Sequence, residues 1–161
     1  AAKAELLSPE GRALVSKLMT TLNKAARDCM VRYRVHACTD VTGFGLLGHA
    51  CEMAQGSGVS LTLRPGDMDL LPEAAALAKE GILPEGMYRN RAFAEPEVDP
   101  GDTPLWQQDM LYDPQTSGGL LIAVDPLDAD ALLSELAQAV PSAQRIGRAE
   151  TYAGGPRIRL R

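Results

Sequence analysis

Apolar residues recur at helical spacing in four stretches of the chain. The first begins at Ser8-Pro9, a capping residue followed by a proline suited to the first helical turn, and extends to about Cys29. The others begin near Phe44, Leu70 and Asp125-Pro126. Glycines or the loss of periodicity end them. The pattern predicts helices over residues 9–29, 44–56, 70–80 and 126–140.

Short runs rich in Val, Ile, Leu and Tyr predict strands between these helices. They cover residues 32–38, 59–63 and 120–124, and the last run is apolar throughout, which favours a central strand. Residues 144–151 and 156–160, joined through Gly154-Gly155, predict a hairpin. Helices and strands mixed in this order indicate one α/β (α+β) domain over residues 1–161, a mixed β-sheet covered by helices.

Residues 84–103 show no clear period and are rich in Pro, Gly and charge. We expect a long irregular connection here that touches a partner or a neighbouring domain, because long unpatterned loops in compact domains are often functional.

The composition limits the function classes. The 161 residues carry a net charge of −5, so a broad nucleic-acid or anionic-membrane surface is not expected. No apolar run is long enough to cross a bilayer, and no secretion leader is visible. Three cysteines without framework spacing predict reduced thiols and a cytoplasmic location.

The segment Thr39–Gly45 lies between a predicted strand and a predicted helix. Unpaired N–H groups at a helix start, together with Gly43 and Gly45, suit a closely approaching phosphate. Asp40 offers a hard oxygen ligand for magnesium. The alternative is an ordinary glycine turn in which Thr42 or Asp40 caps the helix. The string Gly43–Gly48 matches a dinucleotide-binding fingerprint, but no acidic residue ends the next strand, which argues against that reading.

A second polar loop, Asp113–Gly119, leads into the apolar run at 120–124. Ser117, Gly118 and Gly119 together present successive N–H groups that suit an anion, as in a backbone nest. An ordinary proline-containing turn is the competing interpretation.

Several other side chains are of types that can bind metals or act as nucleophiles. A zinc site from His36, Cys38, His49 and Cys51 lacks the usual Cys-x-x-Cys spacing. Cys38 is a formal nucleophile, although small buried cysteines are more common. His49, one turn into the predicted helix, suits either donation to an anion or a surface or capping role. Trp106 and Met110 are at helical spacing, which favours a packing role for both side chains over a platform for stacking a nucleotide base.

Two long motifs then resemble one enzyme family. Residues 37–49, ACTDVTGFGLLGH, and 112–121, YDPQTSGGLL, are similar to the signatures of selenophosphate synthetase (selenide, water dikinase). That family belongs to a wider group that includes aminoimidazole ribonucleotide synthetase, in which a C-terminal α/β domain of this length closes over an ATP-binding N-terminal domain.

The resemblance implies a function for each motif. The family makes selenophosphate from selenide, ATP and water with Mg²⁺, releasing AMP and phosphate, and full-length members form homodimers. By resemblance Asp40 is a magnesium ligand. The phosphate side is lined by Thr39, Thr42, Gly43, Gly45 and the loop residues Ser117, Gly118 and Gly119.

The family's glycine-rich N-terminal half, with its reactive Cys or selenocysteine, is not in this sequence, and none of the three cysteines matches that nucleophile. We therefore expect this chain to work with that N-terminal domain and to be inactive alone. The alternatives are a related ATP-dependent synthetase or kinase with another acceptor, and a non-catalytic module for docking or cleft closure.

Overall fold

The computed structural model describes residues 6–161, which fold into α-helices and β-strands. The α-helices are α1 (Pro9–Thr20), α2 (Lys24–Met30), α3 (Gly45–Ser57), α4 (Pro72–Lys79), α5 (Glu85–Ala94), α6 (Leu105–Tyr112) and α7 (Ala129–Ala139). The strands are β1 (Val35–Asp40), β2 (Val59–Leu63), β3 (Val98–Asp99), β4 (Leu120–Val124), β5 (Gly147–Thr151) and β6 (Ile158–Leu160). Short 3₁₀ turns cover Pro65–Asp67 and Glu95–Glu97.

The strands of the described region form two sheets. Strands β1 and β4 pair antiparallel, and a four-stranded mixed sheet has the order β3-β6-β2-β5. In that sheet β2 is antiparallel to β5 and parallel to β6. The predicted mixed α/β class with helices over β-structure is confirmed, and its strands are divided between two sheets rather than one.

Each sheet has its own apolar core. The larger core lies between α3, α5, α6 and the four-stranded sheet, and its fully buried members include Leu47, Met87, Ile158 and Leu160. The smaller core joins α2 and α7 to one face of the β1–β4 pair. This second core carries β1 and its carboxyl end, where the candidate site begins.

The first predicted helix is interrupted, so the prediction of one helix over 9–29 was wrong. Helix α1 ends at Thr20, and α2 starts at Lys24. The hydroxyls of Thr20 and Thr21 both donate to the carbonyl of Lys17, at 3.1 and 2.7 Å. Such bonds offer the backbone an alternative to the helical ladder.

Strand β1 extends further toward the glycine corner than its apolar pattern indicated. It ends at Asp40, which pairs with Leu120 of β4. Residues 32–34 form its approach: Arg34 binds both carboxylate oxygens of Asp128 at 2.9 Å, and the Tyr33 hydroxyl donates to Glu135 at 2.8 Å. Pairing with β4, rather than local propensity, sets the strand boundary.

Strand β4 was expected to be central because every residue in it is apolar. In the described structure it pairs with β1 alone, and each of its residues is half-buried. Its two faces contact different cores, with Leu121 toward the larger one and Ile122 toward the smaller one. The apolar run therefore reflected two covered faces and not two neighbouring strands.

The predicted C-terminal hairpin was also wrong, although both strands exist. Strand β2 lies between β5 and β6, with Leu61 pairing with Ala149 on one side and Ile158 on the other. This arrangement buries Ile158 and Leu160 completely. Burial of β6 beside β2 outweighs the local turn signal of Gly154-Gly155.

Residues 84–103 are ordered into α5, a 3₁₀ turn and β3, which overturns the irregular connection predicted there. The buried residues of α5 are Met87, Asn90 and Ala94, at helical spacing. Asn90 is polar and hid this stripe from a hydrophobicity pattern. The predicted helices at α3, α4 and α7 and the strand β2 are confirmed. Among the described helices, none has the length and apolarity needed to cross a membrane.

Candidate functional site

The two glycine-containing motifs lie against each other. The Val41 N–H donates to the Gly119 carbonyl at 2.9 Å, and the Gln115 N–H donates to the Thr42 carbonyl at 3.0 Å. These bonds continue the β1–β4 pairing past Asp40 and Leu120. The corner 39–45 and the loop 113–119, which are about 70 residues apart in sequence, therefore form one surface.

Two asparagine side chains fix this surface from behind. The Asn90 amide, on α5, donates to the carbonyls of Gly43 and Tyr112 at 2.8 and 2.9 Å. The Asn23 amide, at the start of α2, donates to the Gly118 carbonyl at 2.9 Å. These side-chain hydrogen bonds to backbone carbonyls connect α2, α5 and α6 to the two motifs.

The glycines of the surface divide into two pairs. A Cβ on Gly45, which has a φ of +69°, would lie 2.7 Å from the Tyr112 carbonyl carbon, and one on Gly118 would lie 2.0 Å from the Val41 oxygen. Both are required by the contact between the two motifs. A Cβ on Gly43 or Gly119 would meet nothing within 4 Å. Their backbone faces open space.

Ser117 has a left-handed φ of +55°, the only positive φ at a non-glycine residue among residues 6–161. It is exposed and comes directly before Gly118. A non-glycine residue in this region carries a conformational cost of about 1–3 kcal/mol, and such costs concentrate at functional sites. The loop is therefore held in a defined, mildly strained shape.

Asp40 lies at the exposed end of β1, on one wall of a shallow groove. The opposite wall consists of Asn23 and, from α2, Lys24 and Arg27. A carboxylate and two cationic side chains therefore line one open groove. Such a groove can take a divalent cation at Asp40 and an anion near α2.

Cys38 lies on the same face of β1 as Asp40 and also lines the groove. Desolvation along the strand, followed by the negative charge of Asp40, raises the pKa of its thiol above the usual value. A raised pKa lowers the fraction of reactive thiolate. The environment of Cys38 is therefore the opposite of what activates a nucleophilic cysteine.

Thr42, His49 and Glu52 form a hydrogen-bonded chain beside the corner. Thr42 Oγ1 lies 3.1 Å from His49 Nε2, and His49 Nδ1 lies 2.9 Å from Glu52 Oε2. His49 is buried in the first turns of α3, and the Phe44 ring meets it edge-on at 5.6 Å. Phe44 is in turn stacked on the exposed Phe93 of α5.

Asp113 opens the second loop directly after α6. Burial raises the pKa of its carboxyl to about 6. A group with this pKa is sensitive to small changes of environment near neutral pH. It lies next to Pro114, against which Gly86 of α5 packs.

The residues considered for zinc do not converge. His49 faces Thr42 and Glu52, Cys51 is buried in the larger core, and His36 and Cys38 are exposed. No three His, Cys, Asp or Glu side chains between residues 6 and 161 form a group that could hold a metal ion. Within this part of the chain, Asp40 therefore belongs to no group of three such side chains.

Sequence reasoning missed five contributors to this site. Asn90 lay in a segment taken as irregular, and Glu52 lacked a motif of its own. The other three, Asn23, Lys24 and Arg27, fell inside a supposed continuous helix, and nothing in the sequence placed them near Asp40. Trp106 packs under the Lys79 ammonium at 4.5 Å, in agreement with the packing role predicted for it.

Comparison with known proteins agrees with the two motifs. Residues 1–155 match the family described as AIR synthase related protein, C-terminal domain. The chain belongs to this family. Among curated relatives, "Selenide, water dikinase" of Citrifermentans bemidjiense is 46% identical over 97% of the chain and 45% of its own length. The protein of that name from Treponema denticola is 46% identical over 87% of the chain and 40% of its length.

A third relative with this name, from Geobacter sp. strain M21, is 42% identical over 98% of the chain and 46% of its own length. The chain thus spans less than half the length of the curated relatives it matches. The membership in the AIR synthase-related family that the two motifs implied is confirmed.

Proposed function

We propose that this chain is the C-terminal domain of a selenide, water dikinase, and that it supplies the edge of a composite phosphoryl-transfer site. The observation that carries the proposal is the joining of the two motifs into one surface, with Asp40 exposed beside it. Relatives that cover almost the whole chain bear this enzyme's name.

Asp40 is the proposed ligand for Mg²⁺. Its carboxylate is a hard oxygen donor in an open groove, which fits a cation that keeps several waters and binds only one or two carboxylates. Bound there, the cation would neutralise charge on the phosphates of ATP. The remaining ligands would come from the N-terminal domain, because the described residues form no group of three donors.

The proposed phosphate side consists of the open backbone around this groove. Gly43 and Gly119 have free space where a side chain would be, so a phosphate can approach their backbone closely. Gly45 and Gly118 contribute by holding the motifs together. Thr39 adds a half-buried hydroxyl and Ser117 an exposed one. The cationic side chains of Lys24 and Arg27 lie across the groove.

In the whole enzyme this domain would work together with substrates and a second domain. The partners would be ATP, selenide and the N-terminal domain, the full-length protein would be a homodimer, and it would act in the cytoplasm. Alone, the chain would lack synthetase activity, because a single donated carboxylate cannot position both phosphate and acceptor.

The test is an assay of the full-length enzyme with Asp40→Asn. We expect selenide-dependent formation of AMP and phosphate to fall at least about a hundredfold while the fold is kept, because phosphoryl transfer depends on charge neutralisation. Asp102→Asn, an exposed carboxylate on another loop, is the matched control. Normal turnover in Asp40→Asn would contradict the metal assignment.

Two further measurements separate the alternative functions. Turnover with an aminoimidazole precursor instead of selenide would identify a related synthetase. Titration of the chain itself with Mg²⁺ and ATP distinguishes a retained half-site from a closure module. Chemical-shift changes confined to residues 39–45 and 113–119 support the half-site, and their absence supports the closure module.

A further inference from the structure

His49, a buried side chain beside the proposed phosphate edge, is held by three neighbours. Its exposed fraction is 8%, and both ring nitrogens have a hydrogen-bond partner. The edge of the Phe44 ring lies against it, with centroids 5.6 Å apart and planes inclined at 62°. The imidazole is thus held in one orientation.

The partners decide which nitrogen of the neutral ring carries the proton. An ionised carboxylate only accepts hydrogen bonds, so His49 Nδ1 donates to Glu52 Oε2. The other nitrogen, Nε2, then has a lone pair and accepts from the hydroxyl of Thr42. Glu52, at one end of the hydrogen-bonded series Thr42–His49–Glu52, therefore determines which ring nitrogen carries the proton.

The backbone of Thr42 is fixed as well. Its carbonyl accepts from the N–H groups of Gly45 and Gln115, both at 3.0 Å. With its hydrogen directed at His49, the hydroxyl of the half-buried Thr42 can only accept further hydrogen bonds. That oxygen is two residues from Asp40 and next to the open backbone of Gly43.

We propose that His49 and Glu52 are positioning residues that fix the Thr42 hydroxyl as a hydrogen-bond acceptor at the edge of the active site. An acceptor there suits a water molecule at the reacting phosphate or in the hydration shell of a divalent cation. It does not suit a direct bond to a phosphate oxygen, which needs a donor. This inference rests on the proposed function. Thr42, which the resemblance places on the phosphate side, then orients a water molecule as a hydrogen-bond acceptor and does not bind phosphate directly.

The proton positions can be measured directly in the 161-residue chain. The sequence contains two histidines, so ¹⁵N-labelled His36→Gln protein gives the ring signals of His49 alone. At a pH where the ring is neutral, we expect a protonated Nδ1 and an unprotonated Nε2. In Glu52→Ala this preference should weaken. A ring protonated at Nε2 in the His36→Gln protein would overturn the proposal.

Kinetics of the full-length enzyme test whether His49 acts through Thr42. Thr42→Val removes the hydroxyl at equal size, and we expect kcat to fall about 10- to 100-fold, the usual effect of losing such a supporting contact. His49→Ala should cause a similar fall. If the two act as one unit, the double variant will be no slower than Thr42→Val alone.

Conservative variants and a control complete this test. Thr42→Ser keeps the hydroxyl and should restore most of the turnover, and Gln55→Ala, on the exposed face of α3, should leave it unchanged. Multiplying effects in the double variant, with each protein fully folded by denaturant titration, would mean that His49 has only a structural role. The Asp40→Asn result is independent of this cycle, so failure of the proposed function is recognised separately.

Discussion

Asn90 donates a hydrogen bond from its side-chain amide to the carbonyl of Gly43, 47 residues earlier in the chain, at 2.8 Å. Its second amide hydrogen satisfies the Tyr112 carbonyl at 2.9 Å. One buried side chain of α5 therefore connects the corner that holds Asp40 to the end of α6, from which the second loop starts.

Replacing Asn90 with alanine should destabilise the chain by about 2–4 kcal/mol, because two carbonyls lose their donor in a place from which water is largely excluded. Urea denaturation of the chain measures this loss. Asn23→Ala removes one bond to Gly118 at a less buried site and should cost less, about 1 kcal/mol. Equal effects of the two variants would contradict the bridging role of Asn90.

Gly45→Ala should cost at least about 3 kcal/mol, since alanine is strained at a φ of +69° and its Cβ would overlap the Tyr112 carbonyl. Thermal or urea unfolding provides the measurement. Gly43→Ala has open space around the new Cβ and should change stability by no more than about 0.5 kcal/mol.

The same Gly43→Ala variant tests the phosphate edge in the full-length enzyme. We expect slower turnover there despite a normal fold, because the methyl group would occupy the space that a phosphate needs. Gly56→Ala, at another open glycine far along α3, is the control. If both variants keep full activity, Gly43 does not line the phosphate side.

The buried ion pair between Arg91 and Asp109 should be sensitive to removal of one partner. Their side chains are only 18% and 10% exposed, and burial raises the pKa of Asp109 despite the nearby guanidinium. Asp109→Ala leaves an uncompensated buried charge and should cost about 3–5 kcal/mol. In urea unfolding, the double variant Arg91→Leu/Asp109→Leu should be more stable than Asp109→Ala, because it leaves no unpaired buried charge.

Glu85→Ala is the control for this comparison, because the Arg89–Glu85 pair is exposed and contributes about 0.5 kcal/mol or less. A loss of similar size for Glu85→Ala and Asp109→Ala would show that burial does not determine the cost.

Asp113 should make the stability of the chain depend on pH between about 4 and 6. Burial raises its pKa to about 6, against about 4 in the unfolded chain. Between these values the folded chain binds more protons, so the Asp113 contribution to the free energy of unfolding decreases as pH rises. Above pH 6 the charged carboxyl costs on the order of 1–2 kcal/mol, allowing for partial exposure.

Asp113→Asn should therefore be more stable than the parent chain at pH 7.5 and lose this advantage toward pH 4. Urea denaturation at pH 4, 5, 6 and 7.5 measures the difference. Asp102→Asn, which replaces an exposed carboxylate on another loop, is the control. A constant difference between Asp113→Asn and the parent chain across this range would contradict the assignment.

The sequence alone determined the local elements and both motifs of this protein. Periodic apolar positions were enough for α3, α4 and α7, because each of these helices presents an apolar stripe to a core. The strands β2 and β4 were equally clear. The glycines and polar residues of the corner and the loop also carried the resemblance to the enzyme family.

Tertiary structure decided how these elements pair and which side chains support the site. The position of β6 beside β2, and of β4 beside β1 alone, depends on long-range pairing that no local turn signal encodes. Asn90 gains its role only when α5 meets the corner and the end of α6, because a single polar residue in a helix has no period to reveal it. The open space at Gly43 and the crowding at Gly45 likewise exist only once the second motif is packed against the first.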